Sequence, residues 1–326
     1  MVRFGYSLSS EEHGSLALVE HARMAEDVGF DFAMISDHFH PWIPRQGNSP
    51  FVWSVLGAIA ARTERIVLGT GVTCPLIRTH PAIVAHAAAT VATLMPGRFV
   101  LGLGTGENLN EHVTGERWPS ASERRRMLEE AVEVIRELWK GELTDHDGRY
   151  YTVVDAQLYT LPDEPPPIVV AASGEKAAEL AGAIGDGLVG VGPERETVEA
   201  FERGGGIGKP RYGQVTLCWA KDERAAIETV MEWWPQVGVH GEASQELPLP
   251  RMFESAAKVV KEDDIAGAVP CGPDVDRHLE QIRSYLDAGF DHVYLHQIGP
   301  DQEGFLRFAH DELLPRLGGA EMRAAG

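Results

Sequence analysis

Short runs of β-branched and apolar residues alternate with longer helical patterns along most of the 326-residue chain. This alternation is typical of a parallel sheet whose strands are connected by helices. Eight segments have the composition of short buried strands: 3–8, 32–36, 66–70, 99–103, 168–171, 187–191, 214–219 and 292–297. Helical patterns with an apolar stripe separate them, at 9–29, 51–61, 81–94, 121–139, 176–184, 194–203, 223–234 and 275–288.

Eight strand–helix units predict an α/β fold of the (β/α)8 TIM barrel type, for which about 250 residues is typical. We expect a single domain over residues 1–318 and a C-terminal tail at 319–326. The additional residues form two insertions, near 143–166 and 238–270, which we expect to lie over the C-terminal face of the barrel. A doubly wound open sheet is the alternative, and it is disfavoured because no GxGxxG sequence follows the first strand.

The charge balance restricts the classes of partner. The chain has 49 acidic and 29 basic side chains and a formal net charge of −20, which repels nucleic-acid phosphates and anionic lipid head groups. No segment approaches 18 consecutive apolar residues, and acidic residues follow the first strand before the core of a signal peptide forms. We therefore expect a cytoplasmic protein that binds a small-molecule substrate and neither nucleic acid nor a membrane.

The three cysteines give no sign of a disulfide framework or a structural zinc site. Cys74, Cys218 and Cys271 are odd in number and widely spaced, and they form no CxxC pair. We expect three small side chains that are buried or partly buried.

Three neighbouring strands are followed by dense polar sequences. The second is followed by SDHFHPW at 36–42, the third by GTGVTCP at 69–75 and the fourth by GLGTGENLNEH at 102–112. Functional groups of a barrel lie where strands end, so these segments are expected to converge.

Two of these segments can be interpreted either as structural features or as binding sites. The histidines of DHFH are one residue apart, which in an extended segment directs them to opposite sides, so we predict no metal site. GLGTGE is either a tight turn or a loop whose backbone N–H groups bind a planar or anionic ligand. Asn108 and Asn110, which follow it, favour the interpretation as a ligand-binding loop.

Four segments together resemble one family. ISDHFHPW, LGTGVTCP, GRFVLGLGTGENLNEH and IVVAASGEKAAELAGAIGDG are similar, in this order, to the F420-dependent branch of the luciferase-like monooxygenase superfamily, and in particular to its glucose-6-phosphate dehydrogenases. The similarity covers nearly the whole chain. It implies a (β/α)8 barrel, usually dimeric, which binds coenzyme F420 without a metal or a nicotinamide and transfers a hydride to or from a small organic substrate.

The resemblance also implies roles for individual residues. His38 is the acid or base at the substrate hydroxyl, Trp42 forms a wall of the pocket, and Glu107 faces the deazaflavin ring. Which of His38 and Glu107 acts as acid and which as base stays open. The implied cofactor contacts are Asp37, Gly71, Val72, Cys74, Thr105, Gly106, Asn110, Ser173, Gly174, Lys176 and Ala177.

Two further implications concern the backbone. The peptide between Gly71 and Val72 is expected to be cis and to lie behind the deazaflavin ring. The group from Ser173 to Ala177 is expected to hold the cofactor tail at the N-terminus of a helix.

The sequence departs from the glucose-6-phosphate dehydrogenases where those enzymes bind the sugar phosphate. Their threonine, two lysines and arginine correspond here to Val191, Glu194, Gly267 and either Glu303 or Gly304. A loop shift of one residue would bring Arg195 to the place of the first lysine. Each charge-assisted hydrogen bond contributes about 1.5–3 kcal/mol, so we predict that glucose 6-phosphate is not the substrate.

Three functions stay open on the sequence. The leading one is an F420-dependent oxidoreductase acting on an alcohol, a carbonyl compound or an activated alkene. This function is favoured by the combination of Asp37, His38, Trp42 and Glu107. The second is an FMN-dependent monooxygenase of the same superfamily. The third is an F420-binding protein without turnover, which a titratable His/Glu pair in the pocket disfavours.

The helical pattern near residues 80–95 is rich in alanine and apolar on nearly every side. Such a helix needs cover on its outer face. We predict a two-fold homodimer in which this helix packs against the partner, with 51–61 beside it. The alternative is cover by an insertion of the same chain.

Overall fold

The computed structural model describes residues 2–239, 241 and 243–318. It confirms the predicted α/β class, because eight parallel strands form a closed barrel. The strands in chain order are β1 (Arg3–Leu8), β2 (Phe32–Ile35), β3 (Val67–Thr70), β4 (Phe99–Leu103), β5 (Thr144–Asp147), β6 (Thr152–Ala156), β7 (Ile168–Ala171), β8 (Gly187–Gly190), β9 (Arg211–Leu217) and β10 (His292–Gln297). The strand order in the barrel is β1-β10-β9-β8-β7-β4-β3-β2, and β10 closes it by pairing with both β1 and β9.

Helices surround the barrel. They are α1 (Ser15–Val28), α2 (Val52–Ala60), α3 (Pro81–Leu94), α4 (Asn108–Glu111), α5 (Ala121–Leu138), α6 (Glu175–Ile184), α7 (Arg195–Phe201), α8 (Glu223–Trp233), α9 (Ala243–Glu246), α10 (Pro250–Ala257), α11 (Glu262–Ala268), α12 (Val275–Ala288), α13 (Gln302–Phe308) and α14 (Leu314–Leu317). Short 3₁₀ or π turns follow α4, α7, α8 and α13. No helix in the described part of the chain is long and apolar enough to cross a membrane.

The clearest difference from the predicted strands is at β9, which begins at Arg211 rather than at residue 214. A charged residue can start this strand because Asp291 neutralises it. The Arg211 guanidinium lies 3.1 Å from an Asp291 carboxylate oxygen, and the Arg211 backbone N–H donates to the other oxygen at 2.9 Å. Apolar patterning alone does not detect such a pair.

The two insertions lie in different places. Residues 143–166 contain the antiparallel hairpin of β5 and β6, which packs outside α5, where Glu130 accepts hydrogen bonds from the backbone of Tyr150 and Tyr151. This segment connects a helix to the following strand, so it starts on the side of the barrel away from the strand ends. Contrary to our expectation, none of its described residues lines the cavity at the C-terminal face.

The second insertion does lie over that face. The described part of 238–270 forms α9, α10 and α11 and contributes Val239, Ser244, Gln245 and Phe253 to the cavity wall. The predicted tail at 319–326 lies outside the described residues.

Strands β3 and β4 approach closely just before the site loops leave them. The Thr70 hydroxyl donates to the carbonyl of Gly102 at 2.7 Å and accepts from its N–H at 2.9 Å. A Cβ at residue 102 would lie 1.9 Å from the Thr70 carbonyl oxygen, so only glycine permits this approach. The loops after β3 and β4 therefore start at a fixed distance from each other.

Candidate active site

A cavity of about 420 Å³ opens at the carboxyl ends of the barrel strands. It brings together most of the predicted site residues, which come from the loops after β2, β3, β4 and β7. Those that line it are Asp37, His38, Trp42, Gly71, Val72, Cys74, Thr105, Gly106, Glu107, Asn110 and Ser173. The predicted residues Gly174, Lys176 and Ala177 do not line it. They lie at the start of α6, where the Lys176 side chain is exposed.

A buried ionic network joins the loops after β2, β3 and β4. The Asp37 carboxylate accepts a hydrogen bond from the Thr73 hydroxyl at 2.8 Å and from the Arg78 guanidinium at 2.9 Å. The backbone N–H of Arg78 donates to Glu111 at 2.9 Å. Burial opposes the charge of Arg78, but Asp37 and Glu111 raise its pKa above the usual range. The network therefore fixes the orientation of Asp37.

Asn110 on α4 is a second connection between loops. Its side-chain oxygen accepts hydrogen bonds from the backbone N–H groups of Phe39 and His40, at 2.9 and 3.1 Å. Its amide nitrogen donates to the Glu107 carboxylate at 3.3 Å. One buried amide thus positions both the loop after β2 and the candidate acid or base at residue 107.

His38 is paired with a carboxylate that the sequence analysis did not identify. Its Nε2 lies 3.3 Å from Glu11 Oε1, and its Nδ1 lies 3.1 Å from the His40 carbonyl oxygen. Both neighbours are acceptors, so the protonated imidazole satisfies both with its two N–H groups, whereas the neutral ring satisfies one. The Trp42 ring packs beside the imidazole, with 5.0 Å between the ring centroids.

Glu11 is held in its charged form. Burial acts to raise its pKa, but His38 and the Ser36 hydroxyl, which donates to Glu11 at 2.6 Å, keep the pKa below the usual range. The predicted first helix included Glu11, whereas α1 begins only at Ser15. Residues 9–14 form the loop after β1, and the position of that loop at the functional face of a barrel is the signal that would have identified Glu11.

The part of the cavity next to β3 and β4 carries few side-chain atoms. The peptide between Gly71 and Val72 is cis, as the resemblance implied. Gly106 has a φ of +70°, and a Cβ there would lie 2.6 Å from the Cys74 sulfur. Burial raises the pKa of the Cys74 thiol well above its usual range, so Cys74 is a neutral packing group. The glycines leave an open surface that suits a flat ligand.

The second insertion is bound to the barrel through α9. Arg124 on α5 donates to the side chain of Gln245 at 2.9 Å, and its guanidinium packs over the Trp118 ring at 4.1 Å. The Trp118 indole N–H donates to the Glu246 carboxylate at 3.2 Å, and the Asn108 amide donates to the Glu246 carbonyl at 2.9 Å. These contacts hold one wall of the cavity in place.

No lysine or arginine is found among the described residues that line the cavity. Val191 lines it, and Glu194 precedes α7. Arg195 donates to the backbone carbonyl of Asp287 and does not line the cavity. The positions predicted to differ from the phosphate-binding residues therefore place no lysine or arginine on the described lining of this cavity.

Comparisons with known proteins agree with this geometry. The model of the luciferase-like monooxygenase family matches residues 2–292. The chain belongs to this family. As a luciferase-like protein it is 39% identical to the F420-dependent glucose-6-phosphate dehydrogenase of Microbacterium testaceum (strain StLB037), over 97% of each chain. It is also 39% identical to the enzyme of that name from Nocardia farcinica (strain IFM 10152), over 97% of this chain and 98% of the relative.

Two solved structures of F420-dependent enzymes are also similar to this chain. An F420-dependent secondary alcohol dehydrogenase in complex with an F420-acetone adduct superposes with a TM-score of 0.90 and 31% identity, covering 98% of this chain and 99% of the other. A coenzyme F420 dependent tetrahydromethanopterin reductase from Methanopyrus kandleri superposes with a TM-score of 0.78 over 97% and 99% of the two chains. At 24% identity this second match supports the fold alone. The predicted family is therefore confirmed.

Replacing Arg78 tests the ionic network. In Arg78→Met, Asp37 and Glu111 are left buried without their cation, and we expect the free energy of unfolding to fall by about 3–5 kcal/mol. The matched control is Arg307→Met, because Arg307 is exposed and has a single ion pair with Glu303 at 3.7 Å. Urea unfolding at one protein concentration measures both changes. Equal losses in the two variants would contradict the role of the network.

Proposed function

We propose that the protein is an F420-dependent oxidoreductase that transfers a hydride between coenzyme F420 and a small uncharged organic substrate. The observation that carries the proposal is the arrangement of the cavity. The His38–Glu11 pair and Glu107 line the same cavity as the open surface formed by Gly71, Val72 and Gly106. F420-dependent relatives at 39% identity, and the secondary alcohol dehydrogenase at 31%, support this cofactor.

The lining residues fit a planar deazaflavin. Its ring would lie on the open surface next to β3 and β4, with Asp37, Cys74, Thr105 and Asn110 around it. The anionic tail would leave the cavity past Ser173 toward Gly174, Lys176 and Ala177, where the backbone N–H groups at the start of α6 favour an anion. When bound, the deazaflavin supplies the carbon that accepts or donates the hydride.

The side chains supply proton transfer and orientation. Oxidation of an alcohol releases a proton, and His38 is a suitable acceptor because an imidazole titrates near neutral pH. The Glu11 carboxylate, 3.3 Å from Nε2, orients the ring. Glu107, held by Asn110, is the second titratable group and would exchange a proton at the deazaflavin. Trp42 separates His38 from Phe253 and so forms one wall of the substrate space.

The substrate we propose is an uncharged alcohol, carbonyl compound or activated alkene, and not glucose 6-phosphate. Val189, Val191, Val237 and Val239 line the cavity, and the described lining residues offer a phosphate no cation. A phosphate there would lose several charge-assisted hydrogen bonds, which costs many orders of magnitude in affinity. The names of the 39% identical relatives therefore support the cofactor of this protein more strongly than they support its substrate.

A fluorescence and absorbance titration tests the cofactor. We expect coenzyme F420 to bind at micromolar concentration or below, FMN to bind much more weakly, and NAD or NADP not to bind. The measurement needs no substrate. Tighter binding of FMN than of F420 would favour an FMN-dependent monooxygenase, and F420 binding without turnover of any substrate in a broad panel would favour a binding protein.

Replacing His38 separates proton transfer from cofactor binding. We expect His38→Ala to lower kcat by about 10² to 10⁴ while the affinity for F420 stays within a few-fold, because the proposed ring contacts remain. Glu107→Gln keeps the shape but exchanges no proton, so it should alter one limb of the pH profile of kcat. The control is His310→Ala, an exposed histidine after α13. Loss of F420 binding with unchanged turnover per bound cofactor would make His38 a structural residue.

We also propose a two-fold homodimer through α2 and α3. Helix α3 packs one side on its own barrel, but Ile83 in its first turn remains 59% exposed, and Leu94 at its end and Phe51 before α2 are also more than half exposed. Exposed apolar side chains of this size on one helix and at the start of its neighbour in the chain favour an interface.

Sedimentation equilibrium at micromolar concentration tests the dimer. We expect the mass of two chains for the wild type and a shift toward one chain for Ile83→Glu. The control Val154→Glu changes an apolar residue on the β5–β6 hairpin that is even more exposed, and it should keep the mass of two chains. A wild-type mass equal to that of one chain would contradict the proposed dimer.

A further inference from the structure

Two polar side chains of the cavity wall have hydrogen-bonding atoms that no described residue pairs. Gln236, in the turn after α8, is 7% exposed, and neither its amide oxygen nor its amide nitrogen has a partner. His296 on β10 is 2% exposed, and its Nδ1 has no partner. Both residues line the cavity that contains His38. A buried polar group without a partner costs about 1–3 kcal/mol, so unpaired groups at a binding cavity indicate a ligand that completes them.

The partner of the other ring nitrogen defines the chemistry of His296. Its Nε2 lies 3.2 Å from a carboxylate oxygen of Glu12, whose second oxygen accepts the backbone N–H of Gly299 at 2.8 Å. A carboxylate only accepts, so Nε2 carries the proton that pairs with Glu12, and Nδ1 is the ring nitrogen left without a partner. The edge of Trp234 packs against the ring, with 4.4 Å between centroids, and fixes its orientation.

The turn that carries Gln236 is anchored to the loop after β2. The Gln46 amide donates to the carbonyl of Trp233 at 3.0 Å, and its oxygen accepts from the backbone N–H of Trp42 at 2.8 Å. The Arg45 guanidinium also packs over the Trp233 ring at 4.4 Å. The cavity wall therefore holds an unpaired ring nitrogen at His296 and an unpaired amide donor and acceptor at Gln236.

A hydroxyl group matches this set, because it donates one hydrogen bond and accepts others. An ionised carboxylate or phosphate donates no hydrogen bond. It would also be repelled by the carboxyl groups of Glu11 and Glu12, which are buried close by. A hydrocarbon leaves all three atoms unpaired. Of these chemical groups, only the uncharged hydroxyl pairs His296 and also suits the acidic surroundings.

We infer that Gln236 and His296 form a subsite for an uncharged hydroxyl group of the substrate, separate from the group that reacts at His38. This inference rests on the proposed function and specifies its substrate class. The substrate is a neutral compound with at least two oxygen functions, such as a diol, a hydroxyketone or an unphosphorylated polyol. Its carbon skeleton contacts the valines of the cavity wall.

Matched substrates and one variant test the subsite. With F420 as acceptor, kcat/KM is compared for cyclohexanol and the cyclohexanediols, and for linear secondary alcohols and their diols of equal length. We expect the wild type to prefer at least one diol by about tenfold or more, because a site built for a hydroxyl rejects an analogue that lacks it. Gln236→Met, which has similar length and no hydrogen-bonding capacity, should reduce this preference to about threefold or less.

The same variant has a second readout that does not depend on activity. Without ligand, Gln236→Met removes two unpaired polar atoms, so we expect its melting temperature to be equal to or higher than that of the wild type. The control is Gln157→Met, because Gln157 is exposed on the hairpin and donates to the Gly141 carbonyl outside the cavity. The control should keep the wild-type preference for the diol.

Several outcomes would overturn the subsite. They are equal kcat/KM for alcohols and diols across the panel, an equal loss for both classes in Gln236→Met, a lower melting temperature of that variant, and a preference for carboxylated substrates. Failure to bind F420, or to oxidise any alcohol, would instead remove the proposed function and this inference with it. The cofactor titration distinguishes the two kinds of failure, because it does not involve Gln236.

Discussion

The buried charge of Arg78 determines how the loops after β2, β3 and β4 lie relative to one another. Asp37 and Glu111 both contact its guanidinium, and neither loop can move away without leaving a charge unpaired in the protein interior. Asn110, next to Glu111, then fixes the backbone at Phe39 and His40 and also holds Glu107. The positions of the candidate acid and base at residues 38 and 107 thus follow from one network of ionic and hydrogen bonds.

The distribution of charge around the cavity determines what it can bind. Carboxylates of Glu11, Asp37, Glu107 and Glu111 line it, and no described cation does. Arg78 is next to the cavity, but its charge is neutralised by ion pairs with Asp37 and Glu111. A negatively charged group is therefore favoured only outside the cavity, where α6 begins and Lys176 is exposed. This arrangement suits the proposed roles: an uncharged substrate inside, and an anionic cofactor tail at the entrance.

Much of the barrel and part of the site follow from the sequence alone. The alternation of strands and helices predicts the fold, and the polar segments after strands β2, β3 and β4 identify one side of the cavity. Glu11 was missed because its segment resembles the start of a helix, and Arg78 because a lone arginine carries no motif. Gln236 and His296 are sixty residues apart in the chain and have no shared pattern. Only the closed barrel and the turn after α8 bring them to one cavity, which is a tertiary effect that local sequence does not encode.

The central claim is that this cavity transfers a hydride directly between the carbon of an uncharged alcohol and coenzyme F420. Single-turnover reduction of F420 by an alcohol deuterated at its carbinol carbon tests this claim most directly. The account predicts that the deuterium appears on the reduced deazaflavin, that reduction is slower than with the unlabelled alcohol, and that the reaction proceeds without oxygen. Solvent hydrogen on the reduced cofactor in place of deuterium, or a reaction that requires oxygen, would contradict it.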